Sequence, residues 1–154
     1  ASLYRAAMLK QIGLMDDNFF AYYEDVDLSF RSQLAGWNVK YCPESVVYHG
    51  LSKTSSKMGD FTRYHSIKNF LIVYTKNMPA KLCWKYLPKF LYQFSRTTIR
   101  SIVDLKFGIY LKALSYFLIH LPEILSARHK IQSNKIDSVL FKTKPEKISS
   151  LDEK

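Results

Sequence analysis

Three carboxylates, Glu24, Asp25 and Asp27, follow directly on the aromatic run Phe19-Phe20-Ala21-Tyr22-Tyr23. A carboxylate fixed where a loop meets a helix can act as a general base toward an incoming hydroxyl, and the aromatic run supplies a pocket wall to hold it there. Acidic side chains in a first helical turn also complement the helix dipole, so the cluster taken alone is ordinary helix chemistry as well. His49, ahead of Gly50, offers an imidazole that could ligate a divalent metal or contact a phosphate. Taken singly it reads equally as a residue closing a strand. Arg63, Lys68 and Lys76 could grip phosphates, or they form a solvated basic face.

The elements that must position these groups can be read from periodicity. Residues 2–5 suggest the end of a strand, and Ala6, Met8, Leu9 and Ile12 have helical spacing before Gly13, a natural terminator. Asp16-Asp17-Asn18 is a turn-forming cluster leading into the aromatics. From Glu24 a second helix is expected, with Val26, Leu28, Phe30, Leu34 and Ala35 near one face and Gly36 at its end. Trp37 to Tyr41 alternates like a strand, and Ser45 to Tyr48 is a β-branched and aromatic run consistent with another. Residues 51–60 are polar, glycine-bearing and aperiodic, which predicts a mobile loop. A helix from Phe61 to Asn77 then stops at Pro79.

Beyond Pro79, Leu87, Phe90, Leu91, Phe94, Thr98, Ile102, Leu105 and Ile109 recur at helical spacing, punctuated by Lys85, Lys89, Arg96, Arg100 and Lys106. The pattern predicts basic amphipathic helices over residues 79–129. Phe107 to Leu121 is the most apolar run, but Lys112 and Pro122 leave it short of the roughly 20 residues a bilayer span needs. Residues 130–154 read as a polar tail. No internal repeat is visible.

The 154 residues carry a formal net charge of +10, which calls for an anionic partner. Residues 61–122 hold ten basic side chains against one acidic, so almost all the excess lies there. Cys42 and Cys83 form no CxxC pair and no disulfide framework, and a reducing compartment is expected. The N-terminus, Ala-Ser-Leu-Tyr-Arg, has no apolar signal core and reads as a chain beginning mid-domain.

Order and spacing bring these features together. Tyr4-Arg5, Met8-Leu9, Ile12-Gly13-Leu14 and Asp16-Asp17-Asn18-Phe19-Phe20-Ala21-Tyr22-Tyr23-Glu24-Asp25-Val26-Asp27-Leu28-Ser29-Phe30-Arg31 are followed by Ala35-Gly36-Trp37, Tyr41, Pro43, Val46-Val47-Tyr48-His49, Lys68-Asn69 and Lys76-Asn77. In this the first half of the chain resembles the C-terminal half of family 2 glycosyltransferases of the bacterial rhamnosyltransferase-like kind. The resemblance implies an α/β fold, with residues 1–78 the acceptor-side, C-terminal half of a GT-A domain and amphipathic α-helices after it. It implies an inverting transfer from a nucleotide-sugar donor to a glycan or lipid-linked acceptor, with Mg²⁺ or Mn²⁺ as cofactor. Asp25 matches the catalytic base, Glu24 would orient it or the acceptor, and Tyr23 and Trp37 would contact the acceptor. His49 matches a histidine that in some members reaches the metal or the donor diphosphate, and Arg63 and Lys68 would meet phosphate. The family's Asp-x-Asp metal motif after a nucleotide-binding βαβ region is absent, since Asp25-Val26-Asp27 stands at the acceptor-side position. The chain is therefore expected to be one part of a larger enzyme, inactive alone, working on lipid-linked precursors at the cytoplasmic face of a membrane, with its basic helices on anionic headgroups.

Other readings compete. A basic nucleic-acid-binding module would explain the middle segment but not the acidic, aromatic run at residues 16–27, and no zinc-finger or RNP-like motif supports it. An inactive remnant or a partner-dependent subunit would retain the acidic motif without using it.

Overall fold

The computed structural model describes residues 2–48 and 59–134, together with the backbone of 146–147. Its helices are α1 (Ala6–Ile12), α2 (Glu24–Leu34), α3 (Gly59–Asn77), α4 (Ala80–Val103), α5 (Phe107–Ile119) and α6 (Leu121–Ser133). Strand structure among the described residues is confined to β1 (Lys40–Tyr41) and β2 (Glu146–Lys147), a two-residue parallel pairing with Lys40 opposite Glu146 and Tyr41 opposite Lys147.

The α/β expectation, a half of a GT-A domain, is therefore corrected: the described chain is predominantly helical and carries no layered sheet. The physical reason lies in the segments that looked like strands. Residues 2–5 are extended but pair with nothing in a sheet, only the end of Trp37–Tyr41 enters β1, and Ser45–Tyr48 follows a turn in which Ser45 N–H donates to the Cys42 carbonyl. β-branched composition stabilises a strand only when neighbouring strands take its ladder bonds and pack its faces. Here Val39, Val46 and Val47 stay exposed. The loop expected at 51–60 lies mostly outside the described residues, as does much of the tail, while Gly59 and Asp60 already belong to α3 and Lys130 to Ser133 to α6.

The helices form where the sequence supports them. α1 closes on Gly13, whose φ of 84° is a conformation that glycine adopts without strain. α2 begins with Glu24, Asp25 and Asp27 in its first turn and has Arg31 in its last, both favourable to the dipole. Pro79 separates α3 from α4, and the α4 chain continues as helix through Pro88.

α3 is the centre of the assembly, packing against α5 and α6 on one side and α2 on another. One core cluster joins Phe19, Ile72, Val73 and Ile124, edged by Tyr23, Phe30, Tyr116 and Phe117. A second joins Ile67, Tyr110 and Ala113 to Tyr64, Phe94 and Leu114. α4 docks through an aromatic ladder in which Phe90 stacks on Phe70 at 5.2 Å and on Tyr74 at 4.0 Å. The helices after Pro79 thus share a core with α3. No described helix is long and apolar enough to cross a membrane.

Candidate functional site

The corner at Tyr23–Asp25 is built from two Lys-Asn pairs on α3. Asn69 is fully buried, and its Nδ2 donates to the carbonyls of Phe19 (3.0 Å), Ala21 (2.8 Å) and Tyr22 (2.7 Å). Lys68, 3% exposed, donates from Nζ to the Asn18 carbonyl at 2.6 Å and lies 4.6 Å from the centre of the Tyr116 ring. Four carbonyls of the 18–22 loop are thereby gripped from one turn of helix. This grip explains a costly backbone: Phe20, Tyr22 and Tyr23 all have positive φ, between 57° and 69°. Such conformations in bulky residues persist only when their surroundings over-determine them, and they concentrate at sites where a side chain must be aimed.

The second pair, Lys76 and Asn77, holds the two ends of the same segment. Lys76 Nζ reaches Asp16 Oδ2 at 2.6 Å and Asp27 Oδ1 at 2.8 Å, and Asn77 Nδ2 donates to Asp27 Oδ1 at 2.8 Å. Asp27 is completely buried and also accepts from Arg31 Nε at 2.8 Å. Arg31 spends its remaining donors on the carbonyls of Ile12 and Leu14, at 2.6 and 2.7 Å. A buried carboxylate with two cations and an amide around it satisfies its lone pairs and ties α1, α2 and α3 together. Asp27 is thus the internal anchor of the acidic cluster.

The neighbouring carboxylates are left differently. Asp25 is exposed, and its Oδ1 accepts from the Val26 N–H at 2.8 Å, in the first turn of α2. Glu24 is half-buried, and its Oε2 is shielded from solvent without a hydrogen-bond partner among the described residues. An unpaired buried carboxylate oxygen is costly unless something else completes it. Tyr23 is half-buried 6.5 Å from Phe70, burial raises its hydroxyl pKa, and it lines a cavity of about 240 Å³ together with Phe70, Gln93, Thr97 and Tyr110. The corner therefore presents one solvent-facing carboxylate and one under-satisfied carboxylate, and neither of them lines the cavity that Tyr23 enters.

The other sequence candidates fall elsewhere. Trp37 donates its indole N–H to Gln11 Oε1 at 2.8 Å, serving the contact between α1 and the end of α2. Arg63 pairs with Asp104 near the start of α5, on the outside of the fold. Lys68 is no surface phosphate grip, because its ammonium is enclosed and already engaged; desolvation lowers its pKa, against the attraction of Asp16. His49 lies outside the described residues. His65, which the sequence did not single out, packs between Phe61 at 4.4 Å and Phe20 at 5.7 Å. Desolvation and the Lys68 charge lower its pKa, partly offset by the Phe19 carbonyl.

Asp16 shows how the network sets charge: burial pushes its pKa up, but Lys76 and the Asn18 donors outweigh this and hold it below the usual value. Among the described residues no group of three or more His, Cys, Asp or Glu side chains is arranged to hold a metal ion. His49, the histidine expected to reach a metal, lies outside those residues, and no chemistry at this corner is routed through a metal ion. The missed signal was the placement of Lys68, Ile72 and Lys76 at i, i+4 and i+8, which puts lysines in line with a core residue and so demands acidic or carbonyl partners. Comparison with protein-family models, curated proteins and solved structures finds no match to the chain.

Proposed function

We propose that the chain carries the acceptor-side, base-supplying part of an inverting glycosyltransferase that moves a sugar from a nucleotide-sugar donor to a glycan or lipid-linked acceptor. The observation that carries this reading is the Tyr23–Asp25 corner: three positive-φ residues, clamped by Asn69 and Lys68, lead to an exposed Asp25 beside a partly unsatisfied Glu24. Asp25 takes the proton of the acceptor hydroxyl as its oxygen attacks the anomeric carbon and the diphosphate leaves from the opposite face. Glu24 orients that hydroxyl or Asp25, and the Tyr23 ring packs against the acceptor. What supports the assignment from the sequence is the resemblance of residues 16–31 to the motif of the rhamnosyltransferase-like family.

Donor and metal belong to the same proposal. Leu3, Leu14, Val46 and Tyr48 are each strongly exposed in a segment that is close to electroneutral, apolar side chains that docking of the donor-binding part of the enzyme would cover. The same exposure favours, as a second reading, a subunit that works only with a partner.

The test is transfer by the native gene product. It is incubated with Mg²⁺ or Mn²⁺, a panel of radiolabelled nucleotide sugars and a lipid extract of its source cells. Label moving into the glycan or lipid fraction from at least one donor is expected. No transfer from any donor would leave the partner-dependent or inactive reading in its place.

A further inference from the structure

α4 has two faces of different destination. Cys83, Phe90, Phe94, Thr97 and Ser101 fall along the inward side, where Phe90 and Phe94 join the aromatic ladder and Ser101 is fully buried. On the outer side, Trp84, Leu91, Tyr92, Ile99, Ile102 and Val103 are 51–75% exposed. At about 100° per residue, Trp84, Leu91, Ile99 and Ile102 fall within an arc of roughly 80°. The stripe runs from one end to the other of a helix of 24 residues, about 36 Å long. Leu105, 91% exposed, extends it past the helix end.

A row of cations runs beside this stripe. Lys85, Lys89, Arg96 and Arg100 occupy the adjoining arc of roughly 60°, and with Lys81 they make five basic residues and no acidic one in α4. Arg100 has only a loose, exposed pairing with Asp104 at 3.6 Å. A face of this make-up is matched to a surface that is apolar beneath and anionic at its rim.

We infer that the outer face of α4 docks on an anionic phospholipid bilayer, lying in the interface with Trp84 and Tyr92 at headgroup depth and Leu91, Ile99 and Ile102 among the upper acyl carbons. The charge row decides against a second copy of the chain, because facing α4 helices would bring five like charges together from each side. The aliphatic stripe decides against nucleic acid, since Leu91, Ile99, Ile102 and Val103 have no use on phosphates and cannot stack on bases. This inference does not depend on the glycosyltransferase reading.

The experiment uses the 154-residue chain in a Trp37→Phe background, so that fluorescence reports Trp84 alone. Co-sedimentation with phosphatidylcholine vesicles containing 30 mol% phosphatidylglycerol is compared with pure phosphatidylcholine at low salt. Binding to the anionic vesicles with a blue shift of Trp84 is expected, with at least tenfold weaker binding to the neutral ones. Neutralising Lys85, Lys89 and Arg96 to Gln should weaken binding on the order of a hundredfold. Ile99→Ser with Ile102→Ser should abolish the blue shift, with helicity by circular dichroism unchanged. No binding to anionic vesicles, or equal binding to both kinds, overturns the inference. So does concentration-dependent dimerisation that the serine variants abolish while vesicle binding is absent, or salt-sensitive RNA binding in place of vesicle binding.

Discussion

Replacing Asn69 separates the clamp from mere packing, because its amide oxygen and its amide nitrogen have opposite circumstances. Oδ1 has no partner among the described residues, whereas Nδ2 serves three carbonyls. Two amide protons shared among three acceptors amount to about two net hydrogen bonds, worth about 1 kcal/mol each. Truncation also leaves at least one buried carbonyl unsatisfied, at about 1–3 kcal/mol. Asn69→Ala should therefore destabilise the chain by on the order of 3 kcal/mol. Asn69→Asp keeps the shape but sets a carboxyl group against three carbonyl oxygens, with one proton to offer when neutral and none when ionised. Despite being isosteric it should cost as much as the alanine variant or more at pH 7. Urea unfolding followed by circular dichroism measures both, and an unchanged slope with denaturant confirms that stability is being compared. If Asn69→Asp were clearly more stable than Asn69→Ala, or if both lay within about 0.5 kcal/mol of the parent, Asn69 would be filling space and the loop would owe its conformation to something else.

Further expectations follow from the same network. Asp27→Asn strips the charge that Lys76 and Arg31 share in a fully buried site, and should cost about 3 kcal/mol in the same urea assay, since Lys76 keeps Asp16. Asp25→Asn alters an exposed side chain whose bond is to the adjacent backbone, and should change stability by less than about 1 kcal/mol, the scale of a dipole interaction in a first helical turn. The lowered pKa of His65 makes the unfolded chain bind a proton that the folded chain refuses. Its contribution to stability is complete above the ordinary value of 6.5 and is lost as pH falls below it. Urea midpoints should thus decline on going from pH 7 toward 5.5, and His65→Phe should flatten that slope; an unchanged slope would remove His65 as the cause.

Much of the helical layout was legible. The end of α1 at Gly13, the acidic first turn of α2 and the break between α3 and α4 at Pro79 all rest on local chemistry that acts within a turn or two. The strands were not legible because alternation in Trp37–Tyr41 and β-branching in Ser45–Tyr48 describe residues suited to a sheet, not the partners that make one. The same limit applied to the site. Asp25 and Glu24 could be picked out from their position after the aromatics, but Asp27, with the same chemistry, turned out to be an internal anchor because three donors from α2 and α3 converge on it. Lys68 and Lys76 looked like a basic surface because charge alone was counted. Their alignment with Ile72 on the core side of α3 held the information that they are buried.

The most direct measurement of the central claim is the rate of sugar transfer by the native gene product carrying Asp25→Asn, beside the parent and an Asp17→Asn control on the exposed neighbouring loop. A general base at Asp25 predicts a fall in kcat on the order of a hundredfold or more, with donor binding retained and the control unaffected. Turnover equal to that of the parent would contradict it, and would leave the Glu24–Asp25 corner as the capped start of a helix.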